Sequence, residues 1–267
     1  MERPAGPYTA RSLAPEGITL KSPREMERMR EAGRVVAQVI RALRSAIGPG
    51  VRTRDLDALA RREIRRLGAK PAFLGYYGFP AVICTSLNEE IVHGIPGERA
   101  IRPGDLVKVD VGAVVDGLYA DAAFTVAVPP VSPEKERLVE TTRRALWAGI
   151  EQARPGRRVG DIGWAIQSLA EGEGFSVVRE YVGHGIGRRL HEEPQVPNYG
   201  TPGTGPLLRA GMALAIEPMV NLGTWRTRLQ PDGWTVVTAD GSLSAHFEHT
   251  VLILEEGPEV VTRWEDA

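Results

Sequence analysis

Residues 102–110 read RPGDLVKVD and residues 209–217 read RAGMALAIE. Each is a glycine turn followed by an apolar run that ends on an acid, at Asp110 and Glu217. Outward from this pair, the same landmarks recur in the same order and at nearly the same offset. Pro49-Gly50 is matched by Pro155-Gly156, and Asp55-Leu56 by Asp161-Ile162. Three landmarks in one order argue for a duplicated helix–helix–hairpin unit. The alternative is a generic α+β pattern with coincident turns.

Helix signals frame the repeats. Ser22-Pro23-Arg24-Glu25 reads as a capping box with Pro at the first helical position. The apolar stripe Met26, Met29, Val36, Ile40, Leu43 and Ile47 follows, and Gly48-Pro49-Gly50 stops it. A second helix is expected from about Thr53 to Leu67, with Gly68 as its C-terminal glycine. Ser132-Pro133-Glu134 opens a third, and Asp161-Ile162 leads a fourth that closes near Gly172 or Gly174. The stretch before Ser22, rich in Pro and Gly, reads as a loosely docked arm. The expected organisation is an arm over 1–21 and one catalytic domain over 22–267, with pseudo-repeats about 22–128 and 132–255.

Leu106 to Val128 reads as a β-hairpin turning at Asp116-Gly117. A two-residue turn there pairs Val115 with Leu118 and Gly112 with Asp121, so Asp110 shares a face with Asp121. Such diagonal neighbours have alpha carbons roughly 7–8 Å apart. Alone, the two would read as solvated hairpin aspartates. Glu217, inside MALAIEPMV, and Glu248, inside HFEHTVLIL, add two acids on apolar strands. The duplication puts Asp110 and Glu217 at equivalent places near a pseudo-twofold axis. Acids at the centre of a buried sheet are costly unless a positive charge neutralises them, and a metal ion does so.

Histidine supplies nitrogen ligands. His184 lies on the glycine-rich turn GHGIG, where glycine permits close backbone approach. This turn does not fit a dinucleotide fingerprint, because Arg188 and Arg189 stand where its final glycine falls. HEEPQ (191–195) is not a zincin helix: Gln195 replaces the second histidine and Pro194 breaks the helix. His93 and His191 stay open between structural and catalytic roles on local evidence.

Bulk properties narrow the class. The 267 residues are 42% hydrophobic and 25% charged, with a net charge of −1 that gives no electrostatic reason to expect nucleic acid or an anionic membrane. Cys84 is the only cysteine, which excludes an intramolecular disulfide and a thiolate zinc cluster. Carboxylates and imidazoles suit harder divalent ions such as Mn, Fe, Co or Zn. Neither a leader-like apolar segment nor a membrane span is apparent, so a cytoplasmic protein is expected. The basic run RREIRR (61–66) reads as the solvated face of the second helix rather than an RNA or ribosome contact.

LGYYGFPAVICTSLNEEIVHGIP, VKVDVGAVVDGLYADAAFTV, YVGHGIGRRLHEEPQVPNYG, MALAIEPMV and HFEHTVLIL together resemble the type I methionine aminopeptidases. The resemblance runs from about Ser22 to Glu255. It implies the α+β pita-bread fold, with pseudo-twofold duplicated units and a central antiparallel sheet. It implies removal of the initiator methionine from nascent chains when the next residue is small, by attack of a metal-bridging hydroxide. By position, Asp110, Asp121, His184, Glu217 and Glu248 match the ligands of two divalent metal ions, Asp121 and Glu248 bridging. His93 and His191 match the substrate-contacting histidines. Glu217 would also relay a proton, while Tyr76, Phe79, Cys84, Leu190 and Trp234 match the methionine pocket. Nascent polypeptide N-termini are the implied partners, with room for a transient ribosome association.

Two residues depart from the family pattern. Leu190 stands where some relatives have Phe, and His246 stands where Gln is usual, beside Glu248 in sequence. The interval from Glu217 to Glu248 is too short for the helical insert of type II enzymes. The short arm is expected to lack the zinc-finger extension of some eukaryotic type I enzymes. The substantial N-terminal domain usual in the proline-specific relatives is likewise not expected, since only about twenty residues precede the first helix.

Overall fold

The two sequence repeats fold alike down to their caps. In the computed structural model, which describes residues 17–265, four helices run over Pro23–Ala46 (α1), Thr53–Arg66 (α2), Pro133–Gln152 (α3) and Val159–Gly172 (α4). Ser22 and Glu25 form the expected capping box on α1, and Ser132 caps α3 by accepting from the Lys135 amide. The recurrent aspartates do one job twice. Asp55 accepts from the Arg52 amide at 3.1 Å and Asp161 from the Arg158 amide at 2.8 Å, each closing the first turn of its helix. The residues they cap make matching bridges, Arg52 to Ala100 and Arg158 to Leu207. The two turn glycines also correspond. Gly104 and Gly211 both have positive φ, and their amides donate to Val128 and Ile253, at the far ends of the two hairpins.

The main sheet is antiparallel throughout. Its path runs from the Lys70–Pro71 edge through Leu106–Val115, Leu118–Ala127, Glu248–Leu254, Ala213–Ile216 and Gly183–Gly185 to Glu192–Val196. The Leu106–Ala127 hairpin has the expected register, Val115 with Leu118 and Gly112 with Asp121.

Strand alternation then separates two faces. Val107, Val109, Val111, Ala113, Ala120, Ala122, Phe124, Val251 and Ile253 join the four helices in one core. Their neighbours Asp110, Asp121, Glu248 and Thr250 therefore point to the opposite face. Lys108 is there too, buried, donating to the carbonyls of Asn88 at 2.7 Å and Ser244 at 3.0 Å. It fastens the Asp110 strand to the turn before His93 and to the strand leading to Glu248. On α2, Arg62, Arg65 and Arg66 are exposed while Ile64 is buried, as the solvated-face reading expects.

Of the arm expected ahead of Ser22, residues 1–16 lie outside the described residues. Lys21 is packed in: it is 4% exposed and its amide donates to Gly211 O at 2.7 Å.

Gly33 shows how tightly α1 seats on the C-terminal segment. A Cβ there would lie 2.2 Å from the carbonyl oxygen of Val261. Alanine in a helix gains about 1 kcal/mol over glycine. Overpacking costs about 1–3 kcal/mol, and a backbone atom cannot swing aside as a side chain can. Gly33→Ala is therefore expected to lower stability by about 1–2 kcal/mol despite the better helix former. Urea denaturation checks this, and an unchanged or raised midpoint would refute it.

Candidate metal centre

Sheet register brings the acids together. Asp110 and Glu248 both pair with Ala123 from its two sides, which sets them two strands apart in one row. Ile216 pairs with His249, so the next position along, Glu217, falls beside Glu248. His184 pairs with Ala215, itself opposite Thr250, in the adjoining row. All five residues singled out in the sequence as ligands line one cavity.

His184 faces two of the acids directly. Its Nε2 lies 3.6 Å from Asp121 Oδ2 and 3.5 Å from Glu217 Oε1. Ligand atoms of Asp121, His184 and Glu248 all fall within 4.8 Å of one another. His184 Nδ1 lies 2.9 Å from the Gly185 carbonyl, which accepts its proton. In the neutral ring that leaves the Nε2 lone pair aimed at the acids. Thr250 steadies Asp121: its hydroxyl accepts from the Asp121 amide at 3.0 Å and lies 3.0 Å from Oδ1.

The electrostatics are one-sided. Burial, followed by repulsion from Asp121, pushes the Asp110 carboxyl well above its ordinary value. Burial and then Asp110 and Asp121 do the same to Glu217, and burial and the other three acids to Glu248. Asp121 is also raised by burial, against the pull of His184. Asp110 Oδ1 is buried with no hydrogen-bond partner among the described residues. No Lys or Arg lines this cavity among the described residues. Clustered acids, an inward imidazole lone pair and an orphaned carboxylate oxygen form a donor set suited to divalent cations.

An apolar chamber adjoins the acids. Phe79 and Trp234 meet edge to face at 5.0 Å, and Cys84 and Leu190 complete the wall. Burial raises the Cys84 thiol well above its usual range, with Asp110 and Glu248 adding to the shift, so it serves as a neutral apolar group. Tyr76 contributes its ring, and its hydroxyl lies 2.7 Å from His191 Nδ1.

The His191 ring lies tilted against His184 with 4.2 Å between centroids, and His93 meets Tyr181 edge to face at 5.8 Å. Burial takes His93 down to about 4, and burial with two neighbouring imidazoles takes His191 well below its ordinary value. Both are neutral near pH 7. His93 also has a φ of 61°, a left-handed backbone uncommon outside glycine.

Five lining residues escaped the sequence reading. Phe73, Val92, Tyr181, Val182 and Met219 face the cavity although each lies in or beside a quoted motif. Their apolar character gave no local sign separating a pocket wall from ordinary core. His246 also needs relocation: its Nε2 lies 3.7 Å from Glu217 Oε2, so the acid it approaches through space is Glu217. Burial holds this imidazole at about 3.

Comparison with known proteins agrees with this geometry. The model for metallopeptidase family M24 matches residues 27–255. Methionine aminopeptidase 1 of Bacillus subtilis is 50% identical over 246 residues, covering 92% of this chain and 99% of that one. The crystal structure of the Thermotoga maritima methionine aminopeptidase superposes with a TM-score of 0.91 at 51% identity, covering 92% of this chain and 99% of that one. Prolidase from Pyrococcus furiosus, at 23% identity and a TM-score of 0.76, covers 91% of this chain and 65% of its own, and shares the fold alone. The chain has the α+β pita-bread architecture and belongs to metallopeptidase family M24, among its methionine aminopeptidases.

Proposed function

We propose that this metallopeptidase removes the initiator methionine from polypeptides whose second residue is small. The observation that carries the reading is the junction of two environments: an apolar chamber opens directly onto the four acids and His184. An unbranched, polarisable methionine side chain suits Phe79, Cys84, Leu190 and Trp234. Its free amine then lies toward the negative floor, which favours a charged chain terminus over an internal peptide.

Asp110, Asp121, His184, Glu217 and Glu248 would hold two divalent ions, and Co, Mn, Fe and Zn all suit this set. When bound, such ions supply Lewis acidity, making water a nucleophile at neutral pH and polarising the scissile carbonyl. The protein side chains do the rest. Glu217 takes the proton of the attacking water on its carboxylate and passes it to the leaving amine. His191, neutral and held by Tyr76, donates toward the developing oxyanion. His93 orients the scissile amide from the opposite wall. No helix among the described residues is long and apolar enough to cross a membrane, and a cytoplasmic setting with nascent N-termini as substrate fits this reading. Transient ribosome contact is compatible with it, and no nucleic-acid recognition is proposed.

Three outcomes test this assignment. Glu217→Gln is expected to cut turnover about 100-fold or more with metal present, the scale of a lost general acid–base. Near-normal hydrolysis by that variant would remove Glu217 from the mechanism. Asp110→Asn is expected to weaken metal binding at one of the two sites, and calorimetry reporting unchanged stoichiometry and affinity would exclude it as a ligand. Chelated protein should be inactive and recover when refilled with single metals, cleaving Met-Ala-Ser but not peptides that begin with Pro or carry a bulky second residue. Cleavage of the Pro-started series instead would assign a proline-specific activity.

A further inference from the structure

Lys21 and Glu192 form a fully enclosed ion pair outside the metal centre. Their side chains are each 1% exposed, and Lys21 Nζ lies 2.7 Å from Glu192 Oε2. The same oxygen accepts from the Thr19 hydroxyl at 2.5 Å, while Lys21 Nζ also donates to Thr19 Oγ1 at 2.7 Å. The other oxygen, Oε1, accepts the amides of Arg188 at 2.7 Å and Arg189 at 3.0 Å. One carboxylate thus joins the segment ahead of α1 to the irregular loop 187–191.

That loop carries Leu190 and His191 into the substrate cavity. It has little ladder of its own, apart from the Gly187 carbonyl accepting from Tyr119 and a tight contact of the Gly187 amide with Arg189 O. Lys21 lies so close across Gly187 that a Cβ there would fall 2.1 Å from its Cε. A second tie, Arg188 to Glu25 at the start of α1, is partly solvent-exposed and contributes little by comparison.

We infer that Thr19, Lys21 and Glu192 are positioning residues, a clamp by which the segment ahead of α1 sets the place of His191 and Leu190 in the cavity. A buried ion pair is a poor source of net stability compared with apolar packing, yet its geometry is strict. Without the ammonium, Glu192 takes up a proton or turns toward water. Either change loosens the two amides it holds and moves the loop that ends in His191. Displacement of about 1 Å at a group contacting substrate is enough to cost about 100-fold in rate. The clamp rests on the proposed role of His191, and its test includes a signal independent of peptidase activity.

The test uses metal-loaded enzyme with Lys21→Met, the neutral pair Lys21→Met/Glu192→Gln, and the milder Thr19→Val. Metal content, Tm, kcat and KM on Met-Ala-Ser, and histidine ¹H–¹⁵N spectra are recorded, with His191→Gln assigning the His191 signal. Lys21→Met is expected to keep its metal, shift the His191 signal and lose about 10- to 100-fold in kcat, with a smaller change in KM. The neutral pair should regain Tm without regaining kcat. Recovery of kcat in step with Tm would overturn the proposal in favour of a purely structural role. So would wild-type kcat with an unmoved His191 signal in Lys21→Met. Should Lys21→Met not fold, Thr19→Val decides: a shifted His191 signal with reduced kcat supports the clamp, and neither change refutes it. If the unaltered enzyme fails to release methionine, the function is wrong, and the His191 signal alone then tests the clamp.

Discussion

Four carboxylates and one imidazole lining a single cavity on the inner face of a sheet constrain everything else in this protein. Each buried ion carries a desolvation penalty on the order of several kcal/mol. Four together rival the roughly 5–15 kcal/mol by which a whole domain is stable. The acids therefore hold protons or share cations, and burial with mutual repulsion moves Asp110, Glu217 and Glu248 strongly toward the protonated form when no cation is present. The helices and apolar strand residues on the opposite face are what make such a site sustainable. They supply a large core on one side of the sheet so that the other side can be given to chemistry.

The rest of the molecule shows that this imbalance is local. Lys21 neutralises Glu192, and His249 lies 3.0 Å from Glu265. Lys108 finds two backbone carbonyls. These three buried groups are matched from within the chain, whereas Asp110 Oδ1 has no partner among the described residues. Such a contrast is the physical signature expected of a cation site. The neutral imidazoles around it follow the same logic. His93 and His191 are dry enough to stay uncharged, so neither competes with the cations for the acids.

The adjoining chamber is built from elements far apart in sequence. Phe79 comes from the first repeat, and Leu190 and Trp234 come from two well-separated stretches of the second. The loop bearing Leu190 and His191 is irregular, and its placement depends on contacts from outside itself. Glu192 supplies these by gripping two loop amides with one oxygen and the Lys21–Thr19 segment with the other.

Local chemistry in the chain determined the four helices, their caps, the hairpin register and the duplication. Each depends on short-range rules: Ser-Pro starts, aspartates reaching back three residues, and a two-residue turn that leaves only one register. These rules also put Asp110 on the same face as Asp121. The motifs as a set carried the family and, through it, the separation of His184 from His93 and His191. Only the tertiary structure decided which distant residues meet. Phe73, Tyr181 and Met219 look like ordinary core residues in sequence, because an apolar side chain bears no mark of whether it faces a void or a neighbour. His246 lies two residues from Glu248 along the chain yet approaches Glu217 in space, since its strand pairs with Met219–Asn221, with His246 opposite Met219, two residues past Glu217. Lys21 and Glu192 are widely separated in the chain and share no local pattern. Their pairing is legible only where the fold removes water from both charges and leaves each as the other's counterion.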